Sequence, residues 1–165
     1  MLIILFEGVV VNQERDVFFM KQALAQAQRA LKSGEVPIGA VIVSSLGIVI
    51  GRGYNQSVKK HSQLFHAEVV AIGKAGKNLQ DWRLDRCTMY VTLQPCLMCL
   101  SLIGLSRIER VVYAAESPLF GEAVDRDELP VLYKRHIKGV TSGVLSEESK
   151  VLLKRFFTKK RGNNE

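Results

Sequence analysis

Apolar residues recur at helical spacing through Phe18, Ala23, Leu24, Ala27 and Leu31, the pattern of a helix that buries one face. Asn12 precedes this run as a capping residue, and Glu14 and Asp16 place negative charge in the first turn. Gly34 stands just past the end, so the pattern predicts a helix over roughly 13–33. The pattern then changes to short unbroken apolar runs. Val41-Ile42-Val43 and Ile48-Val49-Ile50 flank Ser44-Ser45-Leu46-Gly47 and predict a hairpin. In Gly51-Arg52-Gly53-Tyr54-Asn55, the glycines let the backbone approach a neighbour closely. A polar loop over 58–64 leads to a helix opened by His66 and closed near Gly76 by Lys74, Lys77 and Asn78. Cys87–Leu93 reads as a buried strand, Cys96–Leu105 as a helix and Arg110–Ala115 as a strand. Residues 116–135 read as loop and short helix with mixed charges at Glu122, Asp125, Arg126, Asp127 and Glu128. Ile137–Thr141 is a last short strand. Ser146 caps a final helix striped by Leu152, Leu153, Phe156 and Phe157, with Glu147 and Glu148 in its first turn. Alternating helices and strands predict an α/β sheet covered by helices on its faces. Trp82, the only tryptophan, is expected in the core or at an interface.

Length adds that 165 residues suit one domain, placed at 13–161. The apolar run Met1–Phe6 stops at Glu7, lacks a basic flank and is too short to span a bilayer. Residues 1–12 are therefore expected to form a flexible or loosely docked extension, and no membrane partner is expected. Three cysteines, an odd and small number, argue against a disulfide framework and for a reducing compartment, with the cytoplasm expected. Lys and Arg number 23 against 16 Asp and Glu, a net +7 that favours a polyanionic partner. Lys154, Arg155, Lys159, Lys160 and Arg161 make the end of the last helix basic; a solvated helix end is the plain account, and RNA contact is the reading favoured because the rest of the chain points to RNA.

Chemistry concentrates in His66-Ala67-Glu68 and Pro95-Cys96-Leu97-Met98-Cys99. One histidine and two cysteines fill three positions of a tetrahedral zinc site and leave the fourth for water, the arrangement of a catalytic zinc. Cys96 and Cys99, three apart, fall on one helical face. The N-terminal dipole of that helix favours thiolate. Zinc lowers the pKa of its water toward neutrality. Glu68, off the metal, is placed to take the water's proton and deliver it to a ring nitrogen and then to the leaving amine. A structural zinc would require a fourth protein ligand; His61 and His136 are available but lack the spacing of such sites. Cys87 lies outside the pair and reads as a small hydrophobe. The ordered pair of half-motifs is the signature of zinc nucleobase deaminases.

The chain resembles the bacterial tRNA-specific adenosine deaminases of the cytidine/deoxycytidylate deaminase superfamily. The similar stretches are Gly34–Val41, Gly53–Asn55, His66–Ile72, Tyr90–Cys99, Arg107–Tyr113 and the Phe156-Phe157 helix. The resemblance implies a three-layer α/β/α sandwich of the cytidine-deaminase-like type with a mixed central sheet. It implies hydrolytic conversion of adenosine to inosine at the wobble position of tRNA, typically the arginine tRNA with an ACG anticodon. It implies a homodimer that holds the anticodon arm across both subunits, with one zinc per subunit. Carried onto this chain, His66, Cys96 and Cys99 are the metal ligands and Glu68 the proton shuttle. Asn55 contacts the flipped base, and Val36, Pro37, Ile38 and the Ala67 backbone shape its pocket.

Two positions depart from the family. Gln94 replaces a usual Glu, and Glu116-Ser117 stands where an Arg-Asp pair usually contacts anticodon nucleotides. The first implies a local change only; the second bears on anticodon-loop binding and leaves the zinc chemistry intact. One competing reading is a deaminase of free bases or nucleotides such as guanine, cytosine or deoxycytidylate. Another is a non-catalytic RNA-binding subunit with zinc as a staple, against which the intact Glu68 argues.

Overall fold

The computed structural model of the chain describes residues 2–119 and 131–162, apart from the side chains of 2–12, 132 and 134. Its centre is a mixed sheet. β1 (Gly39–Val43) is buried along its whole length, which is why its sequence is apolar without alternation: both faces are covered. β1 pairs antiparallel with β2 (Val49–Tyr54) and with β3 (Thr88–Leu93). β4 (Arg110–Ala115) runs parallel to β3, and β5 (Gly139–Thr141) parallel to β4. The order is β2-β1-β3-β4-β5.

Helices cover both faces. α1 (Leu2–Lys32) and α6 (Ser146–Gly162) lie on one side. There Phe19, Met20, Ala23 and Leu24 pack on Val41, Val43, Tyr90 and Val112, with Leu152 against the same cluster. On the other side are α3 (Ala67–Leu79) and α4 (Leu97–Leu105), whose Ala71, Ala75, Leu100 and Ile103 meet Ile42, Met89, Val91 and Val111. Short helices α2 (Ser57–Lys60) and α5 (Val131–Lys134) complete the helices among the described residues. The result is the expected α/β/α sandwich.

Several local expectations change. α1 begins at Leu2 rather than after Asn12, because no proline interrupts the chain from 2 to 32 and the helix continues through Asn12. Asp16 is not an exposed first-turn charge: it is 3% exposed and takes two hydrogen bonds from Arg110, at 2.7 and 2.6 Å, and one from Tyr90 at 2.9 Å. This network ties α1 to the sheet. The loop at 58–64 holds α2 and a 3-10 turn at Gln63–Phe65. Trp82 is not in the core but 62% exposed, with the Arg107 guanidinium 5.2 Å from its ring centre; that cation–π contact gives the ring a partner without burial. Gly34 does close α1, at φ +76°, and Cys87 is buried on the α3–α4 side as expected. The charged stretch at Glu122, Asp125, Arg126, Asp127 and Glu128 lies outside the described residues.

Candidate active site

Register places the candidate residues at one end of the sheet. Gly39 at the start of β1 pairs with Tyr54 at the end of β2, and its N–H donates to Thr92 Oγ1 near the end of β3 at 3.1 Å. Val36-Pro37-Ile38 enters β1 there, Asn55 leaves β2 there, and Gln94-Pro95-Cys96 leaves β3 there. The Asn55 N–H donates to the Ile38 carbonyl at 3.0 Å, so the two segments are joined. Pro37 is buried, and Val36 and Ile38 are half-buried.

Two helix starts meet at this end. His66 occupies the N-cap position of α3 and Cys96 that of α4. A Cβ on Gly53 would overlap the Ala67 carbonyl oxygen, so the glycine lets the first turn of α3 lie directly on β2. Ala67 is fully buried in that contact.

The donor atoms of His66, Cys96 and Cys99 all lie within 4.8 Å of one another. His66 Nδ1 is 3.8 Å from Cys96 Sγ and 3.4 Å from Cys99 Sγ. Hydrogen bonds from Cys99 and then His66 lower the Cys96 thiol to about 4 against the opposition of burial. Cys99 moves the other way: its hydrogen bond to Cys96 and its burial hold it as a thiol. A divalent cation at this point would favour the thiolate of both cysteines. Two sulfurs and one imidazole form a donor set that suits zinc and leaves one position open. Glu68 is 4% exposed beside Cys99. Burial pushes its carboxyl above the usual range, with the His66 charge opposing. A carboxyl so tuned is suited to take up and release a proton.

The sequence profile of the cytidine and deoxycytidylate deaminase zinc-binding region matches residues 13–115. The tRNA-specific adenosine deaminase of Haemophilus influenzae is 41% identical over 156 residues, covering 94% of this chain and 90% of its own. A solved structure from a study of A-to-I editing by tRNA:A34 deaminases at the wobble position of transfer RNA superposes with TM-score 0.72 at 37% identity, covering 82% of this chain and 99% of that one. Guanine deaminase from Bacillus subtilis also superposes, with TM-score 0.56 at 40% identity, but over 60% of this chain and 63% of that one. Fold, donor set and profile define a zinc-binding deaminase. The chain belongs to the cytidine and deoxycytidylate deaminase family, on the branch of the tRNA-specific adenosine deaminases.

Two residues were not found from the sequence. Gln63 Oε1 accepts from His66 Nε2 at 2.8 Å, and Glu35, 1% exposed, accepts from Asn55 Nδ2 at 3.5 Å. Gln63 lies three residues before His66, one of the three candidate donors, which is the only signal its sequence position offers. Glu35 lies twenty residues before Asn55, and no local pattern joins them. The two family departures are in contact: the Ser117 N–H donates to Gln94 Oε1 at 3.2 Å. Ser117 is buried and Glu116 exposed, so of the pair Glu116 is the one presented to solvent.

Proposed function

We propose that this chain hydrolyses the wobble adenosine of a tRNA to inosine, the arginine tRNA with an ACG anticodon being the first substrate to try. The observation that carries the reading is the convergence of His66, Cys96 and Cys99 with the buried Glu68 at paired helix N-termini. His66, Cys96 and Cys99 would hold zinc, which when bound acidifies a coordinated water. Glu68 would take the first proton of the water and pass it to the ring nitrogen, then carry the second, from the new hydroxyl on the ring carbon, to the amine, which leaves as ammonia as the carbonyl forms. Asn55 holds the flipped base, and Val36, Pro37, Ile38 and the Ala67 backbone bound its pocket. An anticodon-loop nucleotide costs little to extrude.

The RNA reading is supported by the near full-length match to tRNA-specific adenosine deaminases and by a basic groove of about 510 Å³ between α1 and α6. Leu152 and Phe156 floor it, and Lys32, Arg155, Lys159 and Lys160 rim it. Lys154 and Arg161 are exposed on the same helix. A homodimer is supported by the apolar groove at Ile72, Trp82, Leu102 and Leu105, where Trp82 is 62% and Leu105 49% exposed. Among the described residues no helix is long and apolar enough to cross a membrane. A tRNA substrate and free thiols fit a cytoplasmic setting.

Zinc-loaded protein is incubated with an arginine tRNA transcript bearing adenosine at the wobble position, with free adenosine, guanine and cytosine in parallel. Inosine at that single position is the expected result. Deamination of guanine without tRNA inosine would favour the free-base reading that the partial guanine deaminase match suggests.

A further inference from the structure

Three carboxylates are deeply buried among the described residues: Asp16, Glu35 and Glu68. Asp16 meets Arg110, and Glu68 belongs to the catalytic site. Glu35 is met by N–H groups. Its Oε1 accepts from the Lys59 N–H at 2.7 Å, and its Oε2 accepts from the Val58 N–H at 3.1 Å and from Asn55 Nδ2 at 3.5 Å. Val58 and Lys59 open α2, where backbone N–H groups have no partner within the helix.

We propose that Glu35 is a positioning residue that fixes which face of the Asn55 carboxamide is presented to the substrate base. The inference rests on Asn55 as the base contact. Each of these partners is an N–H donor, so the carboxyl accepts from all three and selects the nitrogen end of the amide. The Ser57 hydroxyl is 2.9 Å from Asn55 Oδ1 and donates to that end. With both ends held, the 180° flip of the amide would set oxygen against oxygen at Glu35. The backbone is fixed as well, by the Asn55 N–H on the Ile38 carbonyl. One N–H of Nδ2 and one lone pair of Oδ1 remain, in a defined order, for the base. Glu35 thus acts at a distance: it touches Asn55 and α2, and Asn55 touches the substrate.

Glu35→Gln keeps the shape but brings an NH2 group among donors. It cannot accept from Lys59, Val58 and Asn55 together, so the amide loses its fixed order. The test is a double-mutant cycle read on whichever substrate the wild type deaminates; a failure of the tRNA reading then appears as a change of substrate and leaves the cycle intact. Glu35→Gln is expected to lower kcat/KM about 10- to 100-fold, the scale of a small misplacement at a reacting centre. In an Asn55→Ala background the same change is expected to cost less than about threefold, because coupled residues do not add. Glu35→Asp, which keeps the carboxylate but draws it back from Asn55, runs through the same cycle and carries the test if Glu35→Gln does not fold. An equal fold-loss in both backgrounds would overturn the proposal, since Glu35 would then act through α2 alone. A wild-type rate in Asn55→Ala would overturn it together with the Asn55 assignment.

Discussion

Gln63 Oε1 accepts a hydrogen bond from His66 Nε2 at 2.8 Å, which leaves Nδ1 as the nitrogen that faces the sulfurs of Cys96 and Cys99. A ligand histidine bonded in this way has its tautomer and ring plane set before metal arrives. Gln63→Leu keeps the bulk and removes the acceptor. It is expected to weaken zinc binding about 10- to 100-fold, measured by competition with a chromophoric chelator. Unchanged affinity would show that the 3-10 turn alone orients the ring.

The three cysteines are expected to separate by chemistry. Zinc-loaded native protein should show no fast-reacting thiol. A chelator should release the half-buried Cys96, whose thiolate is the reactive form. Cys87 should react only on unfolding, because burial, with Asp85 and Glu109 adding, pushes its thiol up to about 11. A thiol count during a chelator and then a urea step reads this order, and early labelling at Cys87 would contradict it. The same shift links to stability. A folded thiol above its unfolded value of about 8.5 contributes stability that is fully present below that pH and is lost as pH rises toward 11. Cys87→Ala should therefore flatten the fall in unfolding free energy over that alkaline window.

Asp16 and Arg110 join residues 94 apart in the sequence. Arg110→Leu would leave a buried carboxylate with Tyr90 as its remaining side-chain donor. The expected cost is about 3 kcal/mol in urea unfolding, the scale for removing one partner of a buried pair. Adding Asp16→Asn should return part of that loss. A simple sum of the two single effects would mean that the pair is not coupled.

Gly53→Ala tests how closely α3 must lie on β2. The new methyl overlaps the Ala67 carbonyl, and overpacking of this kind costs about 1–3 kcal/mol. Because Ala67 lies between His66 and Glu68, the shift should also lower zinc affinity. A variant that loses stability but binds zinc as tightly as the wild type would show that the helix start can move without disturbing the donors.

The sheet, its covering helices and the donor triad were legible because each rests on local pattern. Apolar runs mark strands buried on both faces, and the spacing of Cys96 and Cys99 survives any reasonable placement of α4. What escaped depends on contacts far apart in sequence. The role of Asp16 as a buried ion-pair member requires Arg110 across the sheet. The hold of Glu35 on Asn55 requires the hairpin to bring residue 55 back beside residue 35. For Trp82 the sequence left core and interface open, and the structure excludes the core, since its ring lies under Arg107 at the surface. Asn12 misled because a good capping residue does not end a helix when the residues before it can continue one.

The most direct measurement is deamination of wobble-adenosine tRNA in heavy-oxygen water by the wild type and by Glu68→Gln, with bound zinc quantified in both. The wild type is expected to form inosine that carries one solvent oxygen at the former amine carbon. The variant is expected to keep its zinc and lose about 10²- to 10⁴-fold in rate, the range for a general acid–base group. Inosine formed at the wild-type rate by Glu68→Gln, or inosine without solvent oxygen, would contradict hydrolysis with Glu68 as the proton carrier.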